Sequence, residues 1–351
     1  MTAFPPRAAR QDVRCPGNGI ASGVGHELVR IKGGLLLEES IGTAMISAHA
    51  DAPLALFQDT EYSVPELGFA FCSWCYPGSA AGTCDLVMGG VSMDMGLKDR
   101  VALVTGAGSG IGLATTRLLA SEGARVVAAD LDPNLAEGPA VLTVKVDLSV
   151  AGGPEAAVAR AIDAWGRIDI LVNNVGRLEF RDGFLSVCDD EWKSILDLNF
   201  FSTVRACRAA LPHMLAQRSG AIVTIASDQG RQPEPSSVDY CVSKAASLML
   251  SKALAKEFGP MGVRSNCVSP GPTRTPAWDT PGGFADSLSE QYSMDRDGAV
   301  EHFAKFVKMI PAGRLGKPEE IASTVAYLAS DLALYINGAD YRVDGGLVAG
   351  V

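Results

Sequence analysis

Thr105-Gly106-Ala107-Gly108-Ser109-Gly110-Ile111-Gly112 follows the apolar run Val101 to Val104 and opens a helical pattern read over Ile111 to Ser121. A glycine-rich turn between a strand and a helix is the setting in which such a sequence can cradle a pyrophosphate. Gly106 permits the tight turn, and Gly110 and Gly112 allow close approach of backbone and helix. The helix N-terminus that follows offers free N–H groups and a partial positive charge to phosphate oxygens. A ligand-free strand-to-helix turn has the same glycine spacing, so the flanking elements and the residues further along decide the reading.

Outward from this turn, strand and helix signals alternate with short connections. Arg125 to Ala129 and Leu142 to Val146 read as strands, Pro154 to Trp165 as a helix and Ile168 to Val172 as a strand. A long helix is expected from about Asp190 to Gln217, then a strand from Ala221 to Ala226 and a helix from Asp239 to Phe258. Val263 to Val268 is a strand, Pro318 to Ser330 a helix and Ala339 to Val343 a last strand. The strands are continuous apolar runs, as expected where helices cover both faces of a parallel sheet. The pattern predicts a single doubly wound α/β domain over 95–351.

Two aspartates end strands on the same side as the glycine turn. Asp130 lies 24 residues after Gly106, where a carboxylate accepts from adenosine ribose hydroxyls and repels a 2′-phosphate. No arginine or lysine follows it directly, which favours NAD over NADP. Asp147, with Leu148, can contact adenine; Asp147-Leu148-Ser149 also suits a helix-entry turn. Further along, Tyr240-Cys241-Val242-Ser243-Lys244 puts a phenol and an ammonium one helical turn apart. A free phenol, with a pKa near 10, is a poor base at neutral pH. A cation about 4 Å away contributes on the order of 4 kcal/mol at an intermediate dielectric, enough to draw the phenol toward neutrality. Ser227, 13 residues earlier at a strand end, offers a hydroxyl to hold a substrate oxygen.

Composition bounds the alternatives. The 351-residue chain is 47% hydrophobic and 20% charged, a globular balance. Its formal charge of −10 argues against nucleic-acid and anionic-membrane partners. No apolar run reaches the roughly 20 residues that span a bilayer, so a cytoplasmic enzyme is expected. Cys188, Cys207, Cys241 and Cys267 sit singly in apolar or helical patterns and are read as buried thiols. Cys72-Ser73-Trp74-Cys75 lacks the second pair a zinc site needs, and no metal is expected. Residues 1–94 show little sustained periodicity and are expected to be a weakly ordered extension or the product of a start assigned too far upstream.

Residues 97–351 resemble the short-chain dehydrogenase/reductase family. The resemblance rests on the glycine turn at 105–112, Asn173-Asn174-Val175-Gly176, Asn199, Ser227, Tyr240 with Lys244, Pro270-Gly271, and the ending Val343-Asp344-Gly345-Gly346. It implies a Rossmann-like fold with Tyr240 as acid/base and Ser227 as the anchor of the substrate oxygen. Lys244 would lower the tyrosine pKa and bond the nicotinamide ribose, and Asn199 would support a proton-relay water. Asn173 would line the adenosine-ribose side, and Thr275 would stand near the carboxamide, with Ser109 and Ile111 in the cofactor loop and Thr273 beside Pro270-Gly271. Two positions depart from the family pattern: Val175 stands where alanine is usual, and Thr273 where an apolar residue often follows the Pro-Gly turn.

The resemblance thus implies an NAD(H)-dependent oxidoreductase acting on a secondary alcohol/ketone pair, as a homotetramer or homodimer packed through the helices around 190–217 and 239–258. A 3-oxoacyl-thioester reductase and a non-catalytic NAD sensor are the alternatives. Ala277 to Ile310 is read as a lid, with Trp278, Phe284, Tyr292 and Phe303 available either for an apolar substrate pocket or for the lid's own core. Arg177, Gln229 and Arg231 are placed near its mouth.

Overall fold

The computed structural model describes residues 94–350 except 134, 135 and 137. The expected extension over 1–94, with Cys72 and Cys75, lies outside these residues apart from Asp94. Seven parallel strands form the sheet: β1 Val101–Thr105, β2 Arg125–Asp130, β3 Val141–Lys145, β4 Ile170–Asn173, β5 Gly220–Ile225, β6 Val263–Pro270 and β7 Asp340–Val343. Their order is β3-β2-β1-β4-β5-β6-β7, so the chain reverses direction across the sheet between β1 and β4. Crevices at such a reversal, beyond the carboxyl ends of the strands, are where ligands bind in open α/β sheets. The expected Rossmann-like, doubly wound fold is the one observed.

Alternation along β1 explains the continuous apolar runs. Ala102 and Val104 enter one core layer with Leu113 and Leu119 of helix α1 (Gly110–Ser121) and Ile321, Val325 and Leu328 of α9 (Pro318–Ala329). Val101 and Leu103 enter the opposite layer with Ala157, Val158 and Ala161 of α2 (Gly153–Trp165) and Ala206, Ala210 and Met214 of α4 (Ser202–Gln217). Both faces are buried, so both residue parities must be apolar. The two edge strands depart from this: Thr143 and Lys145 of β3 and Arg342 of β7 are exposed.

Two expectations are corrected. The helix read over 190–217 is interrupted. It comprises α3 (Asp189–Leu196), a π-helical turn at Asp197–Phe201, and α4. A single π turn inserts one extra residue without breaking the run of backbone hydrogen bonds, so apolar periodicity does not reveal it. Cys188 is exposed just before α3, whereas Cys207, Cys241 and Cys267 are buried as expected. Between β6 and α9 the lid region holds α6 (Pro276–Asp279), α7 (Phe284–Tyr292), α8 (Arg296–His302) and a second π turn, Phe303–Val307. Trp278 meets Phe284 and Phe303 edge to face at 5.5 and 5.7 Å, so these rings form the lid's own core, while Tyr292 lies tilted against His302 with ring centres 4.9 Å apart. Among the described residues no helix is long and apolar enough to cross a membrane.

Candidate active site

The glycine turn leaves β1 with Gly106 at φ +67°, a left-handed conformation that suits glycine. Asn174, just past β4, clips it: its Nδ2 donates to the Thr105 and Gly106 carbonyls at 2.9 Å each, and its backbone N–H donates to Thr105 Oγ1 at 3.0 Å. A Cβ on Gly112 would stand 2.0 Å from the Gly106 oxygen and 2.4 Å from Asn174 Nδ2, so only glycine fits. Ser109 precedes α1 in an extended conformation, exposed and with its hydroxyl not capping the helix. Thr275 faces Gly110 across the turn, within 3.0 Å of a Cβ built there.

Asp130 ends β2 against this turn. Its Oδ2 accepts from Gly108 N at 2.9 Å and its Oδ1 from Asp132 N at 3.1 Å, which fixes the carboxylate at the edge of the loop. Asp147 accepts from both the backbone N–H and the hydroxyl of Ser149, at 2.9 and 2.6 Å. These bonds hold its carboxyl below its ordinary pKa. The Leu148 side chain is buried in the core. Asn173 is buried, with Nδ2 3.4 Å from Cys207 Sγ of α4 and from Thr224 Oγ1 of β5, so its amide lies between the sheet and α4. Successive strand residues point to opposite faces. That period, applied to the Asn-Asn pair, was the signal that Asn174 rather than Asn173 grips the turn.

The second group of residues gathers at the ends of β5 and β6. Ser227 follows β5, buried; its Oγ donates to Asp228 Oδ1 at 2.7 Å and accepts from Gln229 N at 3.2 Å. Helix α5 (Val238–Phe258) brings in Tyr240 and Lys244 one turn apart. Lys244 is buried, its Nζ donating to the Ile225 carbonyl at 2.8 Å and lying 5.7 Å from the Tyr240 ring centre. The π turn places Asn199, buried, beside them: Oδ1 accepts from Arg177 N and Nδ2 donates to Arg177 O, both at 2.9 Å, and Nδ2 also donates to Ser243 Oγ at 3.2 Å. A Cβ on Gly176 would approach Lys244 Nζ at 3.3 Å and Asn199 Oδ1 at 3.4 Å, so these groups share one small space. Pro270 ends β6, and Thr273 bonds back to the Gly271 carbonyl at 2.9 Å.

Electrostatics correct one expectation. Burial pushes the Tyr240 phenol up to about 12; the Ser227 hydroxyl acts against this, while Asp228 and Cys241 add to it. Burial also pulls Lys244 down to about 8. The anticipated lowering of the phenol by Lys244 is therefore absent from the cofactor-free chain. The ammonium is directed at a carbonyl, and desolvating the phenolate costs more than a cation at that distance returns. Asp228, which sequence reading passed over, is itself raised, chiefly by burial. Its signal was a carboxylate directly after the strand-end serine. Of the residues placed at the mouth, Arg231 pairs with Asp340 at 2.6 Å, Arg177 with Glu179 at 2.7 Å, and Gln229 accepts from Ser237 Oγ at 2.7 Å.

The geometry now stands beside known proteins. A family model described as Enoyl-(Acyl carrier protein) reductase matches residues 106–348. D-threitol dehydrogenase of Mycolicibacterium smegmatis is 38% identical over 273 residues, covering 73% of this chain and 95% of that protein. 3-Oxoacyl-[acyl-carrier-protein] reductase FabG of Thermotoga maritima is 36% identical over 264 residues, 72% of this chain and all of the relative (100%). The crystal structure of L-sorbose reductase from Gluconobacter frateurii, complexed with NADPH and L-sorbose, superposes with a TM-score of 0.69 at 34% identity, over 74% of this chain and 100% of that one. The chain belongs to the short-chain dehydrogenase/reductase family. It is an oxidoreductase of the alcohol/ketone type with a nicotinamide dinucleotide cofactor.

Proposed function

We propose that this protein interconverts a secondary alcohol and its ketone using NAD(H), with Tyr240 as acid/base. The observation that carries the reading is the meeting of Ser227, Tyr240 and Lys244 at the carboxyl edge of the same sheet whose glycine turn is fixed against Asp130. The residues present fit the dinucleotide. The first N–H groups of α1 and the Ser109 hydroxyl would take the pyrophosphate, and Thr275 would close over it from the opposite side. Asp130 retains lone pairs for the adenosine ribose hydroxyls, Asp147, Leu148 and the Asn173 backbone would border the adenosine, and Pro270, Gly271 and Thr273 would flank the nicotinamide. When bound, the cofactor accepts or supplies the hydride.

The chain's own groups handle the proton. In oxidation the Tyr240 phenolate takes the hydroxyl proton of the substrate; in reduction the phenol gives its proton to the carbonyl oxygen. Ser227 holds that oxygen, Lys244 would meet the nicotinamide ribose, and Asn199 would keep the water next to Lys244 in place. The curated relatives' names span polyols and 3-oxoacyl thioesters, and the latter is the second reading, favoured by the full-length match to the Thermotoga maritima reductase. The test is a panel of secondary alcohols, polyols, cyclic diols and an acetoacetyl thioester, followed by nicotinamide absorbance with both cofactors. Turnover of an alcohol with NAD, abolished in Tyr240→Phe while NAD affinity stays within a few-fold, is the expected result. Turnover of the thioester alone, with NADPH, would select the second reading; full activity of Tyr240→Phe would remove the tyrosine from its role.

A further inference from the structure

Ser227 owns one hydrogen, and the partners of its oxygen assign it. It is donated to Asp228 Oδ1 at 2.7 Å, and one lone pair of the same oxygen takes the Gln229 N–H at 3.2 Å. Toward Tyr240, in the chain without substrate, the serine is left with a lone pair. A hydroxyl that only accepts stabilises a neutral phenol, not a phenolate. We propose that Asp228 is a positioning residue that holds Tyr240 in its proton-donating form, by taking the Ser227 hydrogen and setting a negative charge beside the phenol. This rests on the reading of Tyr240 as the acid/base.

Asp228 is 9% exposed, so its charge acts through a poorly screening interior. Its effect on Tyr240 has the same sign as that of burial. A hydrogen bond from Ser227 lowers the phenol, and while Asp228 is ionised its carboxylate, 2.7 Å away, competes for that one hydrogen. The groups facing this cluster are few. From α5 come Tyr240, Cys241 and Lys244; Cys241 acts on the phenol, and Lys244 is directed at Ile225 O. Lys308, beyond the second π turn and paired with Glu234, favours the ionised Asp228, whereas Asp344 of the C-terminal loop opposes it. Arg231 is neutralised by Asp340. At the alkaline pH where a phenol ionises, Asp228 is already charged, so its influence is complete exactly where the phenol titrates. The redox couple fixes the equilibrium between alcohol and ketone. Asp228 sets the pH at which each direction runs fastest, extending reduction to higher pH and delaying oxidation.

The test follows the Tyr240 phenol itself by NMR of Cζ-labelled tyrosine, assigned by its absence in Tyr240→Phe, in the cofactor-free protein. Asp228→Asn keeps the shape and removes the charge; its phenol should ionise about one pH unit lower, a tenfold gain in phenolate at a given pH on the rising limb. Ser227→Ala removes the relay and should leave the ionisation unchanged or slightly lower, because the serine was not donating to the phenolate. An unmoved phenol in a folded Asp228→Asn protein overturns the proposal. So does a rise of about a unit in Ser227→Ala, which would mean that the serine hydrogen points at Tyr240. Should Asp228→Asn fail to fold, the Ser227→Ala titration decides alone. Neither titration needs a substrate, so an error in the substrate class leaves this result standing, and an active Tyr240→Phe is read separately.

Discussion

At the scale of single residues, Lys244 carries a cost that pH should expose. It is a buried ammonium with one carbonyl partner, and its folded-state value of about 8 lies below the ordinary 10.5. Below pH 8 the amine is charged in folded and unfolded chains alike, and the full cost of burying it is present. Between about 8 and 10.5 the folded chain releases the proton first, so stability rises with pH through that window. The difference, about 2.5 units, corresponds to about 3 kcal/mol. Thermal denaturation of Lys244→Met beside the parent should show the variant more stable at pH 7 and the gap closing by pH 10. A constant gap would mean that the amine reaches water. Tyr240 has the opposite sign: raised to about 12, it favours the folded state up to about pH 10, and stability falls above that. The sequence revealed the residue types and their order at Ser227, Tyr240 and Lys244, because helical spacing and strand ends are written locally. It did not reveal that Asn173 turns inward while Asn174 grips the glycine turn, or that Asp228 takes the serine hydrogen. Those depend on side-chain direction and on which donor is already spent.

At the scale of elements, strand positions were legible to within about two residues because burial on both faces demands unbroken apolar runs. Less could be read where a helix changes its winding, as at Asp197–Phe201, or where short helices pack mainly on one another, as in the lid. The end of β2 carries a testable function. Asp130 touches the glycine turn through Gly108, and the neighbouring Leu131 is 61% exposed, with room for a larger side chain. With NADP, a 2′-phosphate would meet this carboxylate, and no arginine or lysine directly follows Asp130 in the chain. Repulsion between unit charges at 4 Å is about 4 kcal/mol at intermediate dielectric, so a preference for NAD of a hundredfold or more is expected. Asp130→Ser combined with Leu131→Arg should weaken NAD and strengthen NADP together, read as kcat/KM for each cofactor. A parent that prefers NADP would show that the carboxylate does not meet the ribose.

At the scale of the whole molecule, Phe201, Val242 and Met249 expose 42%, 45% and 72% of their surface on the helices through which a homotetramer is expected to pack. Light scattering should give four chains for the parent, and Met249→Glu should yield smaller species with the fold retained. A monomeric parent would refute the assembly. A chain beginning at Met95 should keep both its oligomeric state and its turnover, since Met95 already packs on the core that includes Leu97 and Leu328. The Asn174 clip has a consequence for how this enzyme ages. Its three hydrogen bonds join the ends of β1 and β4, the two strands that flank the chain reversal, so the cofactor loop is shaped by the sheet's central pair before any dinucleotide arrives. The ordering of that loop is completed during folding and little remains to be lost on binding. Heat should not loosen the loop while leaving the sheet whole. Loss of cofactor recognition and collapse of the sheet should therefore arrive as one event, with no long-lived species that is folded but blind to its cofactor.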